Sequence, residues 1–312
     1  MFDPQAFIEE KVKEIRDAVG KEKAIVAVSG GVHSSTTYIL ARWALVHQAL
    51  GFFFDNGLMR EGEPEQVIWS FAKFGYGIRL INCQAEFSNA LKGLTDPEQK
   101  REAITQTFYA IVLREQAKWH QAPFLIHGTI LTDVDETVAG IKRQHNVLAQ
   151  LGINTEKAFG YTVIEPLAEL RKPQVREVAK ALGLPGSTYN RMPFPGPALA
   201  ARIIGRVTLH KVEIVRQATI IVEEELKPLG AFQDIAILHS ERVPGMRRGK
   251  RDYGWQIEVR SWQTKDAVTA EPAWIPHAMM MGISKRLTSE VPGVVSVVYS
   301  YPNKPTSTIE AV

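Results

Sequence analysis

Ser29-Gly-Gly-Val-His-Ser-Ser35 is the stretch whose residue types and spacing specify chemistry most directly. Two adjacent glycines let the backbone turn tightly and expose successive N–H groups. Ser29, Ser34 and Ser35 add hydroxyl donors where a helix begins, and the combination suits a phosphate. The stretch is neither a GxxxxGK[ST] loop nor a GxGxxG dinucleotide fingerprint. A serine-capped glycine turn with no ligand is the plainer reading of the same residues.

The elements around this loop decide what it faces. Residues 1–23 carry Phe7, Ile8, Val12, Ile15 and Val19 at helical spacing and predict a surface helix. Apolar runs at 24–28, 49–54, 78–81 and 124–126 predict buried strands, with helices over 63–74 and 97–119 between them. Strands alternating with helices imply a parallel sheet covered on both faces, whose ligand lies beyond the carboxyl ends of the strands. The residues in that position are Ser29–Ser35, Asp55–Arg60, Cys83 and Gly128–Glu136. Residues 127–162 show little periodicity, a length that suits a lid. An amphipathic stretch at 173–182 closes a first domain, 1–190. A Pro/Gly-rich linker spans 191–206, and a smaller α+β domain, 207–312, follows with helices near 209–229 and 276–290 and strands at 234–238, 255–260 and 294–299.

Composition narrows the class. The 312 residues, 45% hydrophobic and 23% charged, suit about two globular domains. A formal charge of +3 gives too weak a field for a nucleic acid partner. The acidic start and the lack of an ~18-residue apolar run give no signal peptide and no membrane span. The single cysteine, Cys83, fits a reducing cytoplasm. Residues 1–190 sum to −1 and residues 191–312 to +4, so the positive excess lies in the smaller domain.

Strand-SGGxxSS-helix resembles the pyrophosphate loop of the N-type ATP pyrophosphatases, where an Asp normally stands at the position of His33. Further motifs follow in order: Phe54-Asp-Asn-Gly-Leu-Met-Arg60, Lys92-Gly-Leu-Thr-Asp-Pro-Glu98, Gly128-Thr-Ile130 with Asp133 and Glu136, Ile141-Lys142 with His145-Asn-Val147, Arg191-Met-Pro-Phe-Pro-Gly-Pro197, and Lys304-Pro305 with Thr308-Ile-Glu310. Together they resemble the ATP pyrophosphatase part of the GMP synthetase family. No nucleophile-elbow cysteine with His and Glu partners appears, so the similarity is to the stand-alone subunit of two-subunit versions.

The resemblance implies a five-stranded, doubly wound parallel sheet of the adenine nucleotide α-hydrolase type, an α/β fold, with a smaller α+β C-terminal dimerisation domain. It implies an AMP-forming carbon–nitrogen ligase using ATP and Mg2+. The C2 oxygen of xanthosine monophosphate is adenylated, and ammonia, from a separate glutamine amidotransferase subunit, displaces AMP to give GMP. The cofactor-binding residues would be Ser29, Gly30, Gly31, His33, Ser34, Ser35, Asp55 and Gly128. Lys142, Asp133 and Ser34 would be catalytic, and Asp133 and Glu136 would hold the metal. Asp55 and Asn56 equally suit a turn. Arg202, Lys304, Ile309 and Glu310 would bind the purine nucleotide monophosphate, with the tail used across a homodimer interface.

The pattern is broken in four places. Imidazole at His33 is a poor ligand for Mg2+, which prefers oxygen, although a protonated His33 would suit phosphate. The lid reads Lys142-Arg-Gln-His-Asn-Val-Leu-Ala-Gln150 and lacks the family's glycine pair. Arg247, Arg248, Lys250 and Arg251 cluster where the family has an acid, which suits either an anion site or a solvated loop. The ending Ile309-Glu-Ala-Val312 lacks the family's aromatic and final acid. Two other functions therefore stand beside GMP formation. One is a diverged paralogue that aminates or thiolates another purine-type substrate, with Cys83 either a sulfur carrier or a small buried group. The other is a nucleotide-binding pseudoenzyme impaired at His33.

Overall fold

The computed structural model describes residues 2–118, 122–131, 160–189, 191–247, 249–264, 269–305 and 307–311. The chain divides into two compact units. Unit 1 is Met1–Asp55, Gly62–Cys83 and Thr105–Arg191; unit 2 is Asn56–Glu61, Gln84–Ile104 and Met192–Val312. The segments 56–61 and 84–104 thus join the unit built mainly from the C-terminal part of the chain.

In unit 1, helix α1 (Pro4–Val19) is capped by Asp3, whose side chain accepts from the N–H groups of Gln5 and Ala6, and it buries Phe7, Ile8, Ile15 and Val19. Strand β1 (Ala24–Ala27) leads through the serine-glycine loop into α2 (Val32–Leu45), and β2 (Ala49–Asp55), α3 (Glu63–Ala72) and β3 (Ile78–Asn82) follow. After α4 (Gln84–Ala90), which belongs to unit 2, and α5 (Pro97–Lys118), which joins unit 1 from Thr105 on, come β4 (Phe124–Ile126), β5 (Thr162–Ile164) and α6 (Lys172–Ala181). The five strands are parallel in the order β3-β2-β1-β4-β5. Central strands with both faces covered read as continuous apolar runs, which is why β1, β2 and β4 fall on the expected positions; edge strand β3, mostly exposed, is also where expected. Ile25, Phe52, Leu125, Tyr109, Val112 and Tyr161 form the core of one face. Strand order reverses between β1 and β4, so the crevice of this sheet opens where the loops after those two strands diverge.

In unit 2, α7 (Leu209–Leu226) is capped by Thr208, whose hydroxyl accepts from the Lys211 N–H. The sheet is built on a long antiparallel hairpin, β6 (Gln233–Arg247) and β7 (Lys250–Gln263), extended by β8 (Glu271–Pro272) and joined in parallel by β9 (Val294–Tyr299), which follows α8 (His277–Glu290). The strands expected at 234–238 and 255–260 are therefore the start of one much longer strand and the middle of another. Pro244 and Gly245 look like strand breakers in sequence, yet they pair with Tyr253 and Asp252. Glycine is required on this hairpin: a Cβ on Gly254 would lie 2.4 Å from Val295 Cγ1 and 2.5 Å from the Gly293 carbonyl oxygen. Among the described residues no helix is long and apolar enough to cross a membrane.

Candidate active site

The loop after β1 is held by its own hydroxyls. The Ser29 N–H donates to Ser34 Oγ at 3.1 Å, the two hydroxyl oxygens lie 3.0 Å apart, and Ser34 Oγ donates to the Gly31 carbonyl at 3.2 Å. The first full helical bond of α2 runs from the Ser35 N–H to Gly31 O, leaving the preceding amides of the first turn without intrahelical acceptors. Those amides are neutral donors at the positive end of a helix, an arrangement that receives an anion, while in the ligand-free loop the Ser34 proton goes to Gly31 O and the Ser29 proton to Ser34 Oγ. The Ser35 side chain is fully buried, and its hydroxyl has no hydrogen-bond partner among the described residues.

Two glycines are fixed by close approach. Gly30 has φ of +79°, and a Cβ there would sit 2.2 Å from Val67 Cγ2. Gly128, after β4, has an ordinary backbone, but a Cβ on it would lie 2.8 Å from the Ser34 nitrogen and 2.9 Å from the His33 carbonyl carbon. The loops after β1 and β4 therefore meet at the switch point of the sheet.

Arg191 secures the loop from outside. It donates through Nη1 to the Gly30 carbonyl at 3.5 Å and pairs through Nη2 with the buried Glu63 carboxylate at 2.6 Å. Next to Gly128, the buried Thr129 hydroxyl donates to Glu165 Oε1 at 2.7 Å from the end of β5. None of Arg191, Glu63 or Glu165 was assigned a role from sequence. His33 is half-buried, and its pKa is pushed down to about 4, chiefly by burial and further by the positive charges of Lys172 and Arg176 on α6. The imidazole is therefore neutral near pH 7 in the ligand-free chain, and the nearby positive charge comes from α6. Cations at the start of a helix oppose its dipole, and that anomaly was the available sequence signal for Lys172 and Arg176.

Asp55 ends β2, buried, with its carbonyl accepting from the Cys83 N–H at 2.9 Å. The Cys83 thiol is fully buried and donates to the Ile81 carbonyl, as suits a small core group. Asn56 accepts from the Leu58 N–H at 2.9 Å and forms an Asx turn. Asp133, Glu136, Lys142 and the rest of residues 132–159 of the expected lid lie outside the described residues, as does Arg248.

Unit 2 gathers a second set of residues. Arg202, at the end of a 3-10 turn (Ala198–Arg202), is completely buried. Its Nε lies 3.5 Å from Glu310 Oε2, yet none of its three nitrogens makes a hydrogen bond, and neither does that carboxylate oxygen. Burial pulls the Arg202 pKa down, and Glu310 pushes it back up. The Phe194 ring lies between two guanidiniums, 4.9 Å from Arg202 and 4.1 Å from Arg60, which is itself paired with Glu223. Gln233 donates to Glu310 Oε1 at 2.8 Å, and Arg260 donates to the carbonyls of Thr308 and Ile309. Ile309 packs on a cluster of Ile235, Ile237, Trp262 and Ala270, and the Lys304 backbone bridges to Ala270. Arg202, Ile309 and Glu310 are thus brought together by contacts within one unit, with Lys304 anchored on the same cluster. Gln233 and Arg260, unassigned from sequence, hold the tail in place.

Among the described residues no three His, Cys, Asp or Glu side chains gather as a metal site. His33 offers nitrogen where Mg2+ prefers oxygen, so the described loop does not by itself fit that ion.

A doubly wound parallel sheet with a serine-glycine anion loop at its switch point, followed by a smaller α+β unit, defines an α/β protein of the ATP pyrophosphatase class. The family model described as NAD synthase matches residues 3–197, and that described as GMP synthase C terminal domain matches residues 224–311. The chain is 42% identical over 318 residues to a protein of Methanopyrus kandleri named as one subunit of glutamine-hydrolyzing GMP synthase, covering 99% of each. It is 46% identical over 309 residues to the Archaeoglobus fulgidus protein of the same name, again covering 99% of each. Against that of Pyrococcus furiosus it is 45% identical over 309 residues, 98% of this chain and 97% of the relative. A solved structure, NMN synthetase from Francisella tularensis, aligns with a TM-score of 0.48 at 15% identity, over 64% of this chain and 78% of that one. The chain belongs to the family of these GMP synthase subunits.

Proposed function

We propose that this chain is the synthetase subunit of a two-subunit GMP synthase. The C2 oxygen of xanthosine monophosphate attacks the α-phosphorus of ATP and pyrophosphate leaves. Ammonia from a separate glutamine amidotransferase subunit then adds to C2, expels AMP and gives GMP. The observation that carries this reading is end-to-end identity of 42–46% with proteins that bear the name of a GMP synthase subunit. The geometry supports it: developing charge on the leaving pyrophosphate needs preorganised donors, which the α2 amides with Ser29 and Ser34 provide. Lys142 is assigned as an added cation. Asp133 and Glu136 are the carboxylates suited to Mg2+, whose charge would assist the leaving group. Arg202, Lys304, Ile309 and Glu310 are assigned to the purine nucleotide monophosphate, and the working form to a cytoplasmic homodimer.

His33 favours a second reading. A neutral imidazole supplies neither a metal carboxylate nor a phosphate cation, as expected of a diverged or impaired paralogue. Pyrophosphate release and GMP formation, measured with ATP, Mg2+, xanthosine monophosphate and ammonium, decide between them. Turnover at ordinary enzyme rates supports GMP synthesis. Turnover only with another purine nucleotide, or none at all, overturns it.

A further inference from the structure

Lys100, in the first turn of α5, is a buried cation with no part in the reaction above. It is 1% exposed, and its ammonium donates to the Ile203 carbonyl at 2.8 Å. Among the described residues no carboxylate lies within ion-pair distance of it. A hydrocarbon of the same shape would spare the cost of desolvating an ammonium. What the amine adds that a hydrocarbon would lack is its grip on one backbone oxygen.

That oxygen belongs to the residue after Arg202. The Arg202 guanidinium makes no hydrogen bond of its own, so its position rests on the backbone that carries it, on the Phe194 ring and on a 3.5 Å ion pair with Glu310. The turn is fixed from several sides. The Leu199 N–H donates to the Leu58 carbonyl, the Ile204 N–H donates to the Leu238 carbonyl, and Lys100 takes the Ile203 carbonyl. Ala198, at the head of the turn, has φ of +53°, a conformation that is costly for an alanine and persists only where the surroundings over-determine it. All these contacts lie within unit 2.

We propose that Lys100 is a positioning residue for the nucleotide monophosphate site: by clamping the Ile203 carbonyl it fixes where the unbonded Arg202 guanidinium stands. This rests on the assignment of Arg202 as a substrate contact. The electrostatics agree with a constrained ammonium. Burial draws the Lys100 pKa down to about 8, Lys211 on α7 adds repulsion, and Asp96 opposes both.

Lys100→Met in the full chain, assayed with ammonium as the nitrogen source, tests the clamp. The expected result is a KM for xanthosine monophosphate raised about tenfold, a KM for ATP within twofold of wild type, and a melting temperature unchanged or higher, since a desolvated charge is gone. Amide hydrogen exchange on the ligand-free chain should quicken at Arg202 to Ile204 and nowhere else in unit 2. An unchanged KM for xanthosine monophosphate overturns the proposal. Equal rises in both KM values with a melting temperature several degrees lower also overturn it, because Lys100 is then a packing residue only. If wild type neither binds nor converts xanthosine monophosphate, the assignment of the site has failed. The exchange measurement still decides the clamp in that case, and unchanged exchange at 202–204 overturns it.

Discussion

Each unit uses a largely buried cation to hold one backbone carbonyl beside its binding residues, and the two cations are neutralised differently. In unit 1, Arg191 reaches Gly30 O while its other nitrogen pairs with Glu63 at 2.6 Å. In unit 2, Lys100 reaches Ile203 O with no carboxylate partner among the described residues, and Arg202 beside it faces Glu310 without a hydrogen bond. The loop of unit 1 presents neutral hydroxyls and amides on a framework whose charges are paired. Unit 2 buries a lysine with no carboxylate partner among the described residues beside an Arg202–Glu310 ion pair, 3.5 Å apart, that lacks a hydrogen bond. A site built the first way is stable when empty. One built the second way keeps unmet electrostatic demand that a bound anion can satisfy.

The largest expected effect comes from breaking the paired case. Glu63→Gln leaves Arg191 short of its counter-charge in a mostly buried setting, where losing one partner costs about 3 kcal/mol or more. Urea unfolding should show that loss, and the KM for ATP should rise because Gly30 is no longer held. A loss below ~1 kcal/mol would remove the distinction between the two units.

Arg202→Met is the converse test and the next in size. Its guanidinium makes no hydrogen bond, and its ion pair with Glu310 is offset by its own desolvation, so deleting it should change folding stability by less than ~1 kcal/mol. Affinity for xanthosine monophosphate should fall by about 2 kcal/mol, the scale of a hydrogen bond to a charged group. Calorimetric binding and thermal unfolding separate the two quantities, and a stability loss as large as the affinity loss would show that Arg202 is structural.

Within unit 1, His33→Asp places an anion in a cradle of neutral donors. If His33 limits turnover, pyrophosphate release should rise about tenfold, ~1.4 kcal/mol off the barrier. The wild-type imidazole, with its pKa near 4, should give no ionisation step in rate between pH 5.5 and 8. A rate unchanged by the substitution would place the limiting step elsewhere.

How much of this was legible in sequence follows the same division. The loop of unit 1 is local: Ser29 to Ser35 are consecutive and follow an apolar run that a buried central strand requires, so fold and cradle were both readable. Edge strand β5 was not, because Thr162–Ile164 is short and half-exposed. The Arg191–Glu63 pair was not, because its partners are remote in sequence. In unit 2, Arg202 and Glu310 were reached through family motifs. Lys100 was passed over because a lysine in a charged helix reads as exposed. The length of β6 was hidden by Pro244 and Gly245, whose tolerance depends on neighbouring strands.

Asp234 offers the smallest and most selective test of buried charge in unit 2. It is 1% exposed on β6, accepts from Ser261 Oγ at 2.6 Å, and has its pKa raised from the ordinary 3.8 to about 6. Burial is the main cause, the negative charge of Glu223 adds to it, and the Ser261 hydrogen bond opposes it. Because the folded pKa lies above the unfolded one, the group's contribution to stability is fully present below about pH 4 and is lost as pH rises through about 6. Holding the carboxylate charged at neutral pH then costs ~3 kcal/mol at most. Asparagine keeps an acceptor for Ser261 but brings amide donors that lack acceptors, a penalty of ~2 kcal/mol. Asp234→Asn should therefore be more stable than wild type by about 1 kcal/mol at pH 7.5. That advantage should shrink as pH falls through 6 and reverse at about pH 5, where the falling cost of the charge drops below the amide penalty, as measured by urea unfolding across the range. A difference that stays constant from pH 4.5 to 7.5, or grows toward acid, would mean that Asp234 is not a carboxylate held charged against its burial.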